Sequence, residues 1–198
     1  MSYPQDAAAA KQALREHLLN NRRALDAEQL ESARESVCRH VLDRVDGAAH
    51  PGSTWRRVFG YEPLPAEPGS IRLLEGLADR GASILVPLTR PDNDLDWLRW
   101  PESTTLGVEA VASATVLLVP ALAVDRQGMR LGRGGGSYDR VLARVPDAVL
   151  VVALLHRGEL FDSVPTESWD RPVDAAVTPD GWLDIKSPLA RHRPPSER

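Results

Sequence analysis

Met129-Arg130-Leu131-Gly132-Arg133-Gly134-Gly135-Gly136-Ser137-Tyr138-Asp139-Arg140 is the stretch that decides how the rest of the chain is read. Four glycines fall within five positions, flanked by arginines and followed by an Asp-Arg pair. Upstream, Ala114 to Pro120 is apolar and β-branched and reads as a buried strand. Downstream, Tyr138, Val141, Leu142 and Val145 recur at helical spacing. The stretch is therefore a glycine-rich loop between a strand and a helix. Such a loop brings backbone N–H groups close to an anion, and the helix N-terminus adds a favourable dipole. It reads as a phosphate cradle.

The missing residues narrow the choice. A Walker-type loop requires Gly-Lys-Ser/Thr after the glycines, and no lysine stands there. The dinucleotide fingerprint requires a sixth-position glycine, which counting from Gly132 is Ser137. Neither HExxH nor GxSxG occurs, and the five histidines show no metal-ligand spacing. Lysine occurs only as Lys11 and Lys186, so phosphate ligation falls mainly to arginine forks and backbone N–H groups.

The 198 residues suit one domain, with 42% hydrophobic and 26% charged residues. A net charge of −4 gives no general affinity for nucleic acid or membranes. Cys38 is the single cysteine, which excludes an intramolecular disulfide and a cysteine-based zinc site; on a helix beside Val37 and Val41 it reads as a small core residue. No signal-peptide pattern and no apolar run of about 20 residues occurs. A soluble, cytoplasmic monomer with small-molecule ligands, and without nucleic-acid or membrane partners, is the expectation.

In chain order, residues 1–6 are expected to fray, and a helix is expected from about Ala7 to Leu25. It carries Lys11, Arg15 and Arg22 on one narrow sector, which is either a solvated face or a clamp on a polyphosphate. Asp26 with Gln29 forms a capping box for a second helix with a Leu30, Ala33, Val37, Val41, Val45 stripe. Residues 47–54 read as a turn-rich connection. Strands are expected over Trp55–Tyr61, Ser83–Leu88, Asp147–Leu155 and Asp174–Thr178, with an edge strand over Asp96–Trp100. Ser70 caps a helix that Gly81 ends, and Pro101–Ser113 reads as irregular. The alternation predicts a three-layer α/β/α fold: a mostly parallel sheet with helices on both faces. Residues 1–185 are expected to form that domain, and 186–198 a disordered tail.

Asp139 has two readings from its position alone: a carboxylate complementing the helix dipole, or a Mg2+ ligand beside phosphates. Asp174, at a strand start, is either a turn residue or a second carboxylate.

The loop continues upstream without a break through Val119-Pro120-Ala121-Leu122-Ala123-Val124-Asp125-Arg126-Gln127-Gly128. The whole run resembles the signature of the 5-formyltetrahydrofolate cyclo-ligase (5,10-methenyltetrahydrofolate synthetase) family, V-P-x-x-A-F-D-x-x-G-x-R-L-G-x-G-x-G-Y-Y-D-R. Weaker likenesses extend it. Lys11-Gln12-Ala13-Leu14-Arg15 is similar to K-x-x-L-R, and Glu67 to Ser70 to E-x-x-T. Leu85-Val86-Pro87 is similar to a strand ending in proline, and Val164 to Thr178 to P-x-E-x-x-D-x-x-V-D-x-x-x-T. Val124, Ser137, Ser70, Trp169 and Glu159 depart from the usual residues (phenylalanine, tyrosine, threonine, histidine and glutamine).

The resemblance implies ATP- and Mg2+-dependent cyclisation of 5-formyltetrahydrofolate to 5,10-methenyltetrahydrofolate, releasing ADP and phosphate. The γ-phosphoryl group would pass to the formyl oxygen; N10 would attack this imidate phosphate and phosphate would leave. By the same likeness, Lys11, Arg15 and the run Arg130, Leu131, Gly132, Arg133, Gly134, Gly135, Gly136, Ser137, Tyr138 and Asp139 would bind ATP. Arg130, Arg133 and Tyr138 would serve catalysis. Glu67 and residues Gly134 to Tyr138 would contact the folate, and Asp139 and Asp174 would hold Mg2+. Two other classes stand beside this reading: a non-catalytic folate- or nucleotide-binding protein, and a sugar-phosphate isomerase or acyl-transfer enzyme on a related scaffold.

Overall fold

The structure, a computed structural model, describes residues 4–47, 54–102, 104–167 and 169–185. The expected disordered tail, and most of the connection before Trp55, lie outside the described residues, as do the first three of the six expected to fray. Two long helices come first, α1 (Pro4–Arg23) and α2 (Ala27–Asp46), so helix already begins at Pro4. The Asp26 capping box forms as read: Asp26 Oδ1 accepts from the Gln29 N–H at 2.8 Å, and Gln29 Oε1 accepts from the Asp26 N–H at 3.0 Å. After β1 (Arg57–Phe59), α3 (Ile71–Asp79) starts at Ser70, whose Oγ accepts from the Leu73 N–H.

The remaining elements are β2 (Ser83–Thr89), β3 (Leu95–Arg99), β4 (Val116–Pro120), β5 (Ala123–Asp125), β6 (Arg130–Leu131), α4 (Ser137–Arg144), β7 (Leu150–Leu154), β8 (Leu160–Phe161), β9 (Ala175–Thr178) and β10 (Gly181–Asp184). The main sheet has the order β10-β9-β7-β4-β1-β2-β3. Its five inner strands are parallel, and β3 and β10 close the edges antiparallel.

Alternation along each inner strand supplies two cores. Val116 and Leu118 of β4 join Val37, Val41 and Val45 of α2 and Leu73, Leu74 and Leu77 of α3 on one face. Leu117 and Val119 join Val141 and Leu142 of α4, and Val145 just beyond it, on the other. Each fully buried leucine removes enough apolar surface from water to contribute about 2 kcal/mol. Helices thus cover both faces, in the three layers that the alternation of elements predicts.

Three local features differ from the sequence reading. Pro101–Ser113 is not wholly irregular, because Val108–Ser113 forms a 3-10 helix that buries Val111. β10 adds an edge strand. The glycine loop does not follow β4 directly: β5 and β6 intervene, and with β8 from further along the chain they form a small second sheet, order β6-β5-β8. Asp125 organises that sheet. Its buried Oδ1 accepts from the Gln127 and Met129 N–H groups at 2.9 and 3.0 Å, and Oδ2 accepts from the Val164 N–H at 3.1 Å. α1 packs on this sheet through Leu18, against Leu122, Ala123, Leu131 and Val164. α1 is thereby delivered to the same end of the molecule as the glycine loop.

Candidate active site

The parallel strands run β2-β1-β4-β7-β9, so β1 has its successor β2 on one side and β4 on the other. The β1-to-β2 connection crosses the face covered by α3, and the β2-to-β4 connection carries the 3-10 helix on the opposite face. Connections that diverge in this way open a crevice beyond the strands' carboxyl ends. A cleft of about 500 Å3 lies there, walled by Tyr61 after β1, Pro87 and Thr89 of β2, and Pro120 to Leu122 at the end of β4. The glycine loop, Arg130 to Asp139, lines it, and so do Lys11, Arg15 and Glu67. All the residues expected to bind nucleotide or folate are therefore brought to one cavity.

Glycine is required in the loop itself. Gly134 has φ +97, and a Cβ there would lie 3.5 Å from the Arg15 guanidinium carbon. Gly136, the N-cap of α4, has φ +71. Side chains rarely adopt either conformation, so it is the backbone angle and not a lack of room that calls for glycine at both positions. Arg15 Nε donates to the Gly132 carbonyl at 2.9 Å, which joins α1 to the loop.

The charges are arranged in pairs. Arg130 Nη2 donates to Asp139 Oδ1 at 2.5 Å across the loop. Arg133 Nε lies 3.4 Å from Glu67 Oε1, while Glu67 Oε2 accepts from the Leu64 N–H at 2.9 Å. Lys11 is buried, and its Nζ donates to Glu167 at 2.6 Å and to Asp170 at 2.7 Å. Burial alone would depress the Lys11 pKa. Hydrogen bonding and attraction from Asp170 and Glu167 outweigh it, and the net shift is upward.

The basic stripe of α1 is therefore not a solvated face. Arg22, its third member, is buried against Glu159, with Nε and Nη2 each 2.7 Å from a carboxylate oxygen. It also donates to the Ala121 carbonyl. Helical spacing revealed the alignment of these cations but not their acidic partners, which lie more than a hundred residues away in sequence.

Asp174 is not in the cleft. Its Oδ2 accepts from the Val151 N–H at 2.7 Å, near the start of β7. The strand runs about 10 Å further before reaching its carboxyl end. This corrects the expectation that Asp139 and Asp174 share a metal ion. Among the described residues, no group of three or more His, Cys, Asp or Glu side chains is arranged to hold a metal. The acidic residues of the C-terminal segment that do line the cleft are Glu167 and Asp170. Both were visible in the likeness without an assigned role.

Among the described residues, three buried polar atoms in the cleft lining have no protein hydrogen-bond partner: Tyr61 Oη, Tyr138 Oη and Arg130 Nε. Burial, reinforced by the Glu67 charge, holds both phenols above the ordinary tyrosine range, so they are neutral donors. An unpartnered buried donor costs about 1–3 kcal/mol, and it is found most readily where a ligand completes the bond.

The model of the 5-formyltetrahydrofolate cyclo-ligase family matches residues 7–179. The chain belongs to that family. It is 37% identical over 189 residues to the 5-formyltetrahydrofolate cyclo-ligase of Mycolicibacterium smegmatis, covering 86% of this chain and 94% of that one. Among solved structures, the 5,10-methenyltetrahydrofolate synthetase of Mycoplasma pneumoniae superposes with a TM-score of 0.73 at 19% identity, covering 85% of this chain and 98% of that one. The Aquifex aeolicus 5,10-methenyltetrahydrofolate synthetase gives 0.68 at 22% identity, covering 95% and 99%. These two likenesses concern the fold; family membership rests on the sequence match. No helix among the described residues is long and apolar enough to cross a membrane.

Proposed function

We propose that this chain closes 5-formyltetrahydrofolate to 5,10-methenyltetrahydrofolate at the expense of ATP, releasing ADP and phosphate. The observation that carries the reading is the meeting of the glycine loop with Lys11, Arg15, Arg130 and Arg133 in one cleft that also holds Glu67. That combination suits a nucleotide's phosphates beside a second, uncharged reacting group.

The chemistry explains the need for phosphate. A formamide oxygen is a poor leaving group. Its attack on the γ-phosphorus breaks the bond to ADP and gives an imidate phosphate. N10 of the folate then adds to the same carbon, loses its proton, and expels phosphate with the formyl oxygen. Such transfers depend mainly on positioning and charge neutralisation, which backbone N–H groups and arginine forks supply. No protein nucleophile is required.

Mg2+ is satisfied by one or two carboxylates together with phosphate oxygens. Asp139 fits as the protein's share, at the N-terminal turn of α4 and facing the loop; Asp174 does not. The ion would neutralise phosphate charge. Arg130 would keep Asp139 oriented, and Tyr138 and Glu67 would face the folate.

Mixing the protein with MgATP and 5-formyltetrahydrofolate should generate the methenyl chromophore, and omitting ATP should abolish it. Folded protein that gives no product refutes the reading, and product formed without ATP favours another reaction on this scaffold.

A further inference from the structure

Trp169 is the most exposed of the large apolar side chains among the described residues, at 61%, and it lines the cleft. Two residues close to it in sequence, Glu167 and Asp170, are tied to each other and to α1. The Glu167 N–H donates to Asp170 Oδ2 at 2.8 Å, and the Asp170 N–H donates to the Glu167 carbonyl at 3.1 Å. Both carboxylates also bind Lys11 Nζ. An indole beside the anchored Asp170 gives up less backbone freedom when a ligand meets it. The other tryptophans within the cores, Trp55 and Trp97, are buried in edge-on contacts with Trp182 and Phe59.

The order of contacts around the cleft gives the indole its side. Lys11 joins the Trp169 turn to α1, Arg15 joins α1 to the glycine loop, and Arg133 joins the loop to Glu67. The Trp169 turn is thus tied directly to α1, the element that carries Lys11 and Arg15, whereas Glu67 is tied to Arg133 of the loop. With a nucleotide's phosphates on the loop and a folate at Glu67, the indole beside the Lys11 anchor is the flat face open to the nucleobase.

We infer that Trp169 is the stacking platform for the nucleobase of the bound nucleotide, an inference that rests on the nucleotide reading above. A flat indole face accepts a purine ring without hydrogen-bond readout, so it gives affinity more than base selectivity.

The test compares ATP with inorganic tripolyphosphate, which has the charge but no ring. Equilibrium binding is measured for both, and for 5-formyltetrahydrofolate alone, in the wild type, Trp169→Ala and Trp169→Phe. In Trp169→Ala, ATP affinity should fall about tenfold, while tripolyphosphate and folate affinities stay within about twofold. Trp169→Phe should keep most of the ATP affinity. ADP should quench indole fluorescence in the wild type and not in Trp169→Phe. Equal weakening of ATP and tripolyphosphate would show that only the Lys11 turn was disturbed and would overturn the inference. A selective loss of folate affinity would assign the platform to the pteridine ring, and no change would make the indole idle; either also overturns it. Failure of the wild type to form methenyl product refutes the proposed reaction separately, because the binding comparisons require no turnover.

Discussion

Arg130 on β6 and Asp139 in the first turn of α4 are joined by a 2.5 Å hydrogen bond, across the eight residues of the glycine loop that lie between them. The pair closes the loop upon itself, and it orients the carboxylate proposed above as the protein's share of a Mg2+ site. Asp139→Asn keeps the side chain's size and one acceptor oxygen but removes its charge. Its expected effect is a higher Mg2+ requirement and a fall in kcat/KM on the order of 100-fold, with little change in melting temperature. A variant that only lowers the melting temperature, with its Mg2+ dependence unaltered, would make Asp139 a helix-dipole partner and nothing more.

Lys11 carries two loads. Its ammonium is the shared partner of Glu167 and Asp170, so Lys11→Ala leaves two neighbouring carboxylates without their cation. Removing one member of a buried ion pair costs about 3 kcal/mol. Denaturant unfolding should show a loss of that order, and kinetics should show an ATP KM raised far more than the folate KM. An unchanged ATP dependence would leave Lys11 a purely structural residue.

The Glu67 loop is fastened from behind. Arg34 of α2 donates through Nε to the Glu67 carbonyl at 3.1 Å, and through Nη2 to Pro65 at 2.7 Å and Leu64 at 3.4 Å. With Arg34→Ala the loop loses its brace while the cleft's own charges remain. The folate KM should rise about tenfold and the ATP KM by less than about twofold. Parallel changes in both would contradict a role confined to positioning Glu67.

The same loop has a pH-dependent support. His156 is buried, its Nε2 lies 3.1 Å from the Ala66 carbonyl, and burial is the main reason its pKa is lowered from the ordinary histidine value of about 6.5. Between the folded pKa and about 6.5 the unfolded chain binds more protons at this site, so stability falls as pH drops through that window. His156→Gln retains an amide donor without a charge to accommodate. Its melting temperature should therefore decline less than the wild type's below about pH 6.5. Identical declines in the two proteins would exclude His156 as a source of acid sensitivity.

What the sequence revealed is what local chemistry decides. The Asp26 capping box, the Ser70 cap and the alternating strands appear where their residues predict, because each depends on neighbours three or four positions away or on strand period. The small sheet was hidden: β6 and β8 have two residues each, and the turn that joins β5 to β6 is fixed by Asp125 reaching as far as Val164. Burial of Arg22 was hidden for a related reason, since its partner Glu159 is 137 residues away. Asp174 was misplaced because sequence gives a residue's neighbours along a strand but not which end of the sheet faces the ligand. Its location near the β7 start became plain only from the pairing of β9 with β7.

The central claim is that this cleft transfers a phosphoryl group to the formyl oxygen before the ring closes. Labelling that oxygen with its heavy isotope and following it through one turnover with MgATP tests the claim most directly. The account predicts that the label leaves in inorganic phosphate, one labelled phosphate for each methenyl product formed. Methenyl product accompanied by unlabelled phosphate, with the heavy oxygen released into water, would contradict it.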